Sequence, residues 1–394
     1  MKGEEEMKYE LRERAQEIEQ QLVEWRRDFH RHPEIGFHEK RTSKVLREIL
    51  EGMGLDVISL AKTGLRAKLK GKAGGKCVAL RADIDALPVQ EEGEKEYKSR
   101  NPGAMHACGH DGHMAVVLGA AQMLAQIKDF ITGEVVFLFQ PSEERPPGGA
   151  KPMVEEGALE GVDAIFGLHF WQSLPTGKVG MVKGPMMAQT GDFDLTVKGK
   201  GGHGSMPQQT VDPILVASQI VVSLQSVVSR SVDPLKPAVL SFGTIQGGTI
   251  YNIIPEQVTM SGTIRTFDPD VHDLVEKRMR AIVEETCRAY GAEADLSYKR
   301  GYPAVVNHPE MVEFAEQVTE KTLGEGRLAQ IDPVMGGEDF AYFLQKIPGA
   351  FMFFGMGDGM SYPHHHPCFD MDEKALPEAT LLLASLVIEY LEAN

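Results

Sequence analysis

The chain has 394 residues, 42% hydrophobic, 25% charged and 7% aromatic. At roughly 100–200 residues per domain this predicts two or three domains with real cores, and it excludes a single small binding module or a disordered tail. Lysine plus arginine number 41 against 57 acidic residues, and the net charge of −16 argues against a nucleic-acid or anionic-membrane surface. Four cysteines, at 77, 108, 287 and 368, form no C-x-x-C pair and suit a reducing cytoplasm better than a disulfide scaffold. The charged N-terminus lacks the apolar run of a signal peptide, and no stretch of 18 apolar residues suggests a membrane span.

In chain order, residues 4–29 carry apolar side chains at 11, 18, 22, 25 and 29 among charges, the pattern of an amphipathic surface helix ending near Pro33. Short apolar runs then alternate with helical stretches: strands at 65–69, 77–80, 134–139, 164–170 and 350–354, and a helix over about 114–127. That alternation predicts an α/β domain with a mixed, largely parallel sheet flanked by helices. Between about 187 and 300 the order becomes strand 192–198, helix 213–229, strands 239–245 and 258–266, helix 271–290, strand 294–299. This is the order of a ferredoxin-like split unit. The expected division is therefore 1–186 with 301–394 as one domain, and 187–300 as an inserted α+β domain. A last amphipathic helix covers 374–391, and there is no internal repeat.

The densest cluster of reactive side chains is Met105-His106-Ala107-Cys108-Gly109-His110-Asp111-Gly112-His113. Thiolate and imidazole are good ligands for zinc-like ions, and a two-residue spacing across a glycine lets Cys108 and His110 turn toward one point. Alone, the string also reads as a loop with a buried cysteine. Gln140-Pro141-Ser142-Glu143-Glu144 follows a buried strand, where α/β folds place ligands. One carboxylate of such a pair can bind an ion while the other moves a proton. His169 and His364-His365-His366 also fall at strand ends, so histidines distant in sequence can converge at one sheet edge. Three other strings are decoys. Gly199-Lys200-Gly201-Gly202-His203-Gly204 leads into Met206-Pro207 rather than a helix, which excludes a dinucleotide fingerprint. His38-Glu39 has Thr42 where H-E-x-x-H needs a second histidine, and His30-Arg31-His32-Pro33 reads as a helix-terminating surface turn.

Taken together, Arg81-Ala82-Asp83-Ile84-Asp85, the 105–113 string, Gln140 to Glu144, Gly167-Leu168-His169, Gly201-Gly202-His203-Gly204, Gly262-Thr263-Ile264-Arg265 and Gly336-Gly337-Glu338-Asp339-Phe340 resemble the M20 metallopeptidases. The likeness is closest to their cysteine-containing amidohydrolase branch, and it spans about Trp25 to Glu373. That branch includes N-acyl-amino-acid amidohydrolases, hippurate and auxin-conjugate hydrolases, and some carboxypeptidases. The resemblance implies that Cys108, His110, Glu144, His169 and His365 hold two divalent metal ions per subunit (zinc, manganese, cobalt or nickel), with Glu143 as general base. His365 is chosen because the family string is His-x-Pro and Pro367 sets the register. The wider family has His-x-Asp where this chain reads Asp83-Ile84-Asp85; Asp85 is expected to orient a ligand. The inserted domain corresponds to the family's lid and dimerisation domain. Its His203 resembles a residue that reaches a partner subunit's active site, and Asn252 and Arg265 resemble contacts to a substrate carboxylate.

The implied activity is metal-dependent hydrolysis of the amide bond of an N-acyl (or N-aminoacyl) amino acid with a free carboxylate, in a cytoplasmic homodimer or dimer-based oligomer. The implied partner is therefore a small N-acyl amino acid or short peptide, with neither nucleic acid nor membrane. Three alternatives stand beside it: a carboxypeptidase using the same site, a metal-binding protein without turnover, and a hydrolase with Cys108 as nucleophile.

Overall fold

A computed structural model describes residues 11–394 apart from 358, 360 and 361. They form two compact units, the first comprising 11–186, 306–332 and 339–394, the second 187–305 and 333–338. Residues 4–10 of the expected N-terminal helix lie outside the described residues.

In the first unit an eight-stranded mixed sheet is built from β1 (Asp56–Leu60), β2 (Gly64–Lys70), β3 (Lys72–Asp83), β4 (Thr132–Gln140), β5 (Ala164–Pro175), β6 (Val179–Gly180), β11 (Leu328–Ala329) and β12 (Gly349–Gly357). Their order is β1-β2-β4-β3-β5-β12-β6-β11. The central strands β4, β3, β5 and β12 run parallel. Residues 77–83 of β3 and the whole of β12 are buried, because a parallel sheet covered by helices on both faces reads as a continuous apolar run, not an alternating one. Helix α1 (Glu19–Arg31) is preceded by a separate helical turn over 11–17, broken at Ile18. α2 (Lys40–Gly52), α3 (His110–Gln126), α6 (Pro309–Leu323) and α7 (Ala375–Ala393) are the unit's other long helices. α3 packs on β3 and lies between α1 and α7. It starts at His110 rather than Met114. Its first turn is polar but buried, with His110, Asp111 and His113 each about 1% exposed or less.

The second unit folds in the order β7 (Gln189–Lys198), α4 (Pro213–Ser226), β8 (Ala238–Gly247), β9 (Gln257–Thr266), α5 (Pro269–Tyr290), β10 (Glu293–Arg300). Its antiparallel sheet runs β8-β9-β7-β10, the ferredoxin-like arrangement. Both helices begin as their sequences dictate, with Asp212 and Asp268 accepting backbone N–H bonds at the N-cap and proline in the first turn. The core joins Phe193, Leu195 and Val197 of β7 to Ile220 and Leu224 of α4 and Val275 and Met279 of α5. Among the described residues, Pro213–Ser231 is the one helix long and apolar enough to cross a membrane. No single run of apolar residues signals it, because serines and glutamines interrupt the stretch. In this fold Val216, Ala217, Ile220 and Leu224 are buried in the unit's core.

Candidate active site

The carboxyl ends of β3 and β4 meet in register, Asp83 opposite Gln140, so the two strings that follow them emerge at one edge of the sheet. Gly109 links β3's neighbourhood to α3 with φ of 89°, a conformation that costs glycine nothing. It turns the chain so that Cys108 and His110 come together. Cys108, His110 and His169 offer ligand atoms within 4.8 Å of one another, and so do Cys108, Glu144 and His365, and His110, Glu143 and Glu144. All six residues expected at the centre therefore converge.

Hydrogen bonds fix which imidazole nitrogens face the centre. His110 Nδ1 is 2.9 Å from the Asp85 carbonyl, and His169 Nδ1 is 2.7 Å from the Phe170 carbonyl; each Nδ1–H donates to its carbonyl, so Nε2 is the nitrogen that faces the centre. His169 Nε2 lies 3.4 Å from Cys108 Sγ. His110 Nε2 and Glu144 Oε1 are 3.8 Å apart, and both are buried without a hydrogen-bond partner. Buried polar atoms left this way are costly, and a cation between donors of this kind satisfies them. His365 adds its Nε2 at 3.5 Å from Glu144 Oε1. The backbone N–H of His365 donates to the Ala107 carbonyl at 2.7 Å, and its φ is 67°.

The electrostatics ask for the same thing. Burial opposes a charge on His110, but Asp83, Asp85 and Glu144 prevail and hold it up at about 10. The surrounding carboxylates thus favour positive charge at this place. Burial, then Glu144 and Glu143, push the Cys108 thiol well up. Without a cation the thiol stays protonated, which speaks against Cys108 as a free nucleophile. The donor set of thiol, three imidazoles and carboxylate fits soft to borderline divalent ions.

Asp85 lies behind Glu143 and Glu144, accepting the Glu143 N–H at 2.9 Å on Oδ1 and the Glu144 N–H at 3.1 Å on Oδ2. Other neighbours of the centre have structural duties. His113 donates to Asp83 at 2.6 Å and accepts the Phe170 N–H at 2.9 Å, so neither of its nitrogens is available to an ion. His364 bonds the Phe170 carbonyl at 2.9 Å. Arg81, fully buried, reaches Gln140 at 2.8 Å, Asp83 at 2.8 Å and Asp339 at 3.2 Å. Sequence reasoning gave Arg81 and Asp339 no role, although both fall in the quoted strings. His30, expected in a surface turn, is instead buried, with Asp111 at 2.8 Å and Glu91 at 3.1 Å. It is structural, but α1 packs it into the interior.

In the second unit His203 is exposed, its Nδ1 accepting the Ser205 N–H at 3.0 Å. Gly202 and His203 pair with Ile254 and Ile253, and the Gly204 N–H donates to the Asn252 carbonyl at 2.9 Å, which brings His203 and Asn252 onto one short ladder. Arg265 lies on β9, and its guanidinium donates to the Ile264 carbonyl at 2.8 Å and to the Thr263 hydroxyl.

The model of Peptidase family M20/M25/M40 matches residues 79–389. An N-acyl-L-amino acid amidohydrolase of Geobacillus stearothermophilus is 45% identical over 304 residues, covering 77% of this chain and 82% of that protein. Thermostable carboxypeptidase 2 of Saccharolobus solfataricus is 42% identical, covering 96% and 98%. The crystal structure of the Bacillus subtilis YXEP protein, described as a dinuclear metal binding peptidase from the M20 family, superposes with a TM-score of 0.83 at 37% identity, covering 96% of this chain and all of that one. With a sheet edge that gathers thiol, imidazoles and paired carboxylates, and a match extending over most of its length, the chain belongs to Peptidase family M20/M25/M40.

Proposed function

We propose that this protein hydrolyses the amide bond of N-acyl amino acids bearing a free carboxylate. Cys108, His110, Glu144, His169 and His365 would hold two divalent ions per subunit, and Glu143 would act as general base. The observation that carries the reading is the pair of orphaned buried atoms, His110 Nε2 and Glu144 Oε1, facing each other across 3.8 Å beside Glu143. When bound, such ions polarise the scissile carbonyl and make water acidic near neutral pH. Glu143 takes a proton from the attacking water and returns it to the leaving nitrogen. Asp85, by gripping the Glu143 and Glu144 amides, would hold the segment that carries the two carboxylates in place, so that one binds while the other moves protons. Arg265 and Asn252 would meet the substrate carboxylate, which selects free acids over amides, and His203 would donate to the oxyanion.

Action in a cytoplasmic dimer is part of the proposal. The free edge of β8, among the described residues, and the exposed Ile214, Leu215, Val222 and Ile245 are the kind of surface a twofold pairing covers. A carboxypeptidase with the same centre is the second reading, favoured by the carboxypeptidase relative. A panel of N-acetyl, N-benzoyl and carbobenzoxy amino acids beside dipeptides and longer peptides separates the two. Glu143→Gln, with metal content measured, tests the mechanism: kcat should fall about 10²–10⁴-fold with the metal retained. Near-normal kcat removes Glu143 from its role, and loss of metal exchanges its role with that of Glu144. Activity that resists chelators but yields to thiol alkylation would restore the Cys108 nucleophile. Mixing His203→Ala with Glu143→Gln subunits tests action in trans, since partial recovery requires His203 and Glu143 from different chains.

A further inference from the structure

We propose that Glu39 is a positioning residue for catalysis, fixing the Ser142 peptide and through it the direction of the Glu143 carboxylate. Glu39 precedes α2 at its N-cap position, where an acidic residue ordinarily serves the helix's own free amides. Its side chain makes no such bond. Glu34 does that work, accepting the Arg41 N–H at 3.1 Å and the Thr42 N–H at 2.8 Å. Glu39 turns inward instead and is fully buried. One of its oxygens accepts the Ser142 N–H at 2.9 Å and the other accepts the Thr63 hydroxyl at 2.7 Å.

Ser142 needs holding. Its φ is 52°, a left-handed conformation that is unfavourable for a non-glycine residue, and it immediately precedes Glu143. The amides of residues 142, 143 and 144 thus all end on buried carboxylates: Glu39 takes the first and the two oxygens of Asp85 take the others. The turn that carries Glu39 also presses on Ser142 directly. A Cβ at Gly36 would lie 2.5 Å from Ser142 Oγ, 2.8 Å from its Cβ and 3.0 Å from its Cα. The same turn is tied to the Asp85 segment, the Ala86 N–H donating to the Glu34 carbonyl at 2.9 Å. One short loop, 34–39, therefore references both supports of the Glu143-Glu144 pair to a common frame. Burial pushes the Glu39 carboxyl up to about 7, so the neutral form, which glutamine imitates in shape, is compatible with the site.

The inference rests on Glu143 being the general base, and the test separates the two. Glu39→Ala, Glu39→Gln and Gly36→Ala are assayed for kcat, KM, thermal stability and metal content, beside Glu143→Gln and the double variant Glu39→Ala with Glu143→Gln. Glu39→Ala should lower kcat by about tenfold or more, the effect of leaving a buried amide unpaired, with KM and metal content little changed. In Glu39→Gln the amide oxygen can still accept the Ser142 N–H while the amide nitrogen donates to Thr63, so most of the rate returns. Gly36→Ala, which shifts Ser142 without touching a charge, should reproduce the kcat loss and keeps the test open if Glu39→Ala fails to fold. In the Glu143→Gln background, Glu39→Ala should lower the residual rate no further, because its effect is transmitted through the missing base. Normal kcat in folded Glu39→Ala, or full additivity with Glu143→Gln, overturns the inference. An active Glu143→Gln overturns the underlying reading instead.

Discussion

Replacing Asp85 by asparagine isolates the support beneath the carboxylate pair. Asp85 is 1% exposed and spends both side-chain oxygens on successive amides, those of Glu143 and Glu144. Asparagine is nearly isosteric but has one oxygen, so one amide keeps an acceptor while the other faces an NH₂ group. One hydrogen bond to a charged acceptor is lost, about 1.5–3 kcal/mol, and the orphaned buried N–H cannot turn to water. A total of about 2–4 kcal/mol is expected, and at 1.36 kcal/mol per tenfold in rate this is about 30- to 1000-fold in kcat if the turn must hold its shape in the transition state. The assay is steady-state hydrolysis of an N-acetyl amino acid with kcat and KM separated, metal stoichiometry by elemental analysis, and thermal unfolding of the same preparation. A kcat within threefold of the parent at equal metal content would refute the argument. A fall that excess metal restores would place the action of Asp85 on Glu144 rather than on Glu143.

Cys108→Ser should weaken metal binding by at least about tenfold in a metal titration, because a serine hydroxyl stays protonated at neutral pH where a liganded thiol does not; unchanged affinity would leave Cys108 an ordinary buried thiol. Arg26→Met should destabilise the first unit by about 3–5 kcal/mol. Arg26 is fully buried and bonds Asp111 at 2.8 Å, Asp370 at 2.8 Å and Glu373 at 3.1 Å, and its loss leaves Asp111 buried with too little positive charge. Adding Asp111→Asn should recover part of that loss in chemical denaturation, and equal stability of Arg26→Met and the parent would remove the network from the account.

Much of the centre was legible because its chemistry is local in sequence: Cys108 and His110 stand two residues apart, and Glu143 and Glu144 are adjacent at the end of an apolar strand. The strands were legible for the same reason, since buried parallel strands leave continuous apolar runs. What escaped is polar and long-range. Glu39 meets Ser142, Arg26 meets Asp111 and Arg81 meets Asp339, pairings across 85 to 258 positions that no periodicity records. The start of α3 at His110 is hidden in the sequence because His110, Asp111 and His113 look like surface residues. They are buried because carbonyls, carboxylates and a guanidinium answer them one by one. The sequence pattern likewise put His30 on a surface turn, and only the packing of α1 against α3 shows that it belongs inside.

The charges around the centre also carry a consequence for stability. Asp83 is answered by Arg81 and His113, Asp85 by two amides, and Glu39 by an amide and a hydroxyl. At the donor cluster, Glu144 Oε1 and His110 Nε2 have no hydrogen-bond partner, with a thiol beside them that burial and two carboxylates keep protonated. Ions that bind this cluster would stabilise the fold, because ligands that prefer the native state shift the equilibrium toward it. At a free metal concentration 1,000 times the dissociation constant the gain is about 4 kcal/mol. Chelated protein should therefore unfold at lower temperature or denaturant concentration than the metal-loaded form, and readdition should restore it along with activity. The difference should shrink in Cys108→Ser, which lacks one donor, but persist in Glu143→Gln, where all five proposed ligands remain. Equal stability with and without metal, in a protein shown to bind it, would mean that the first unit already pays the whole electrostatic cost of the centre by itself.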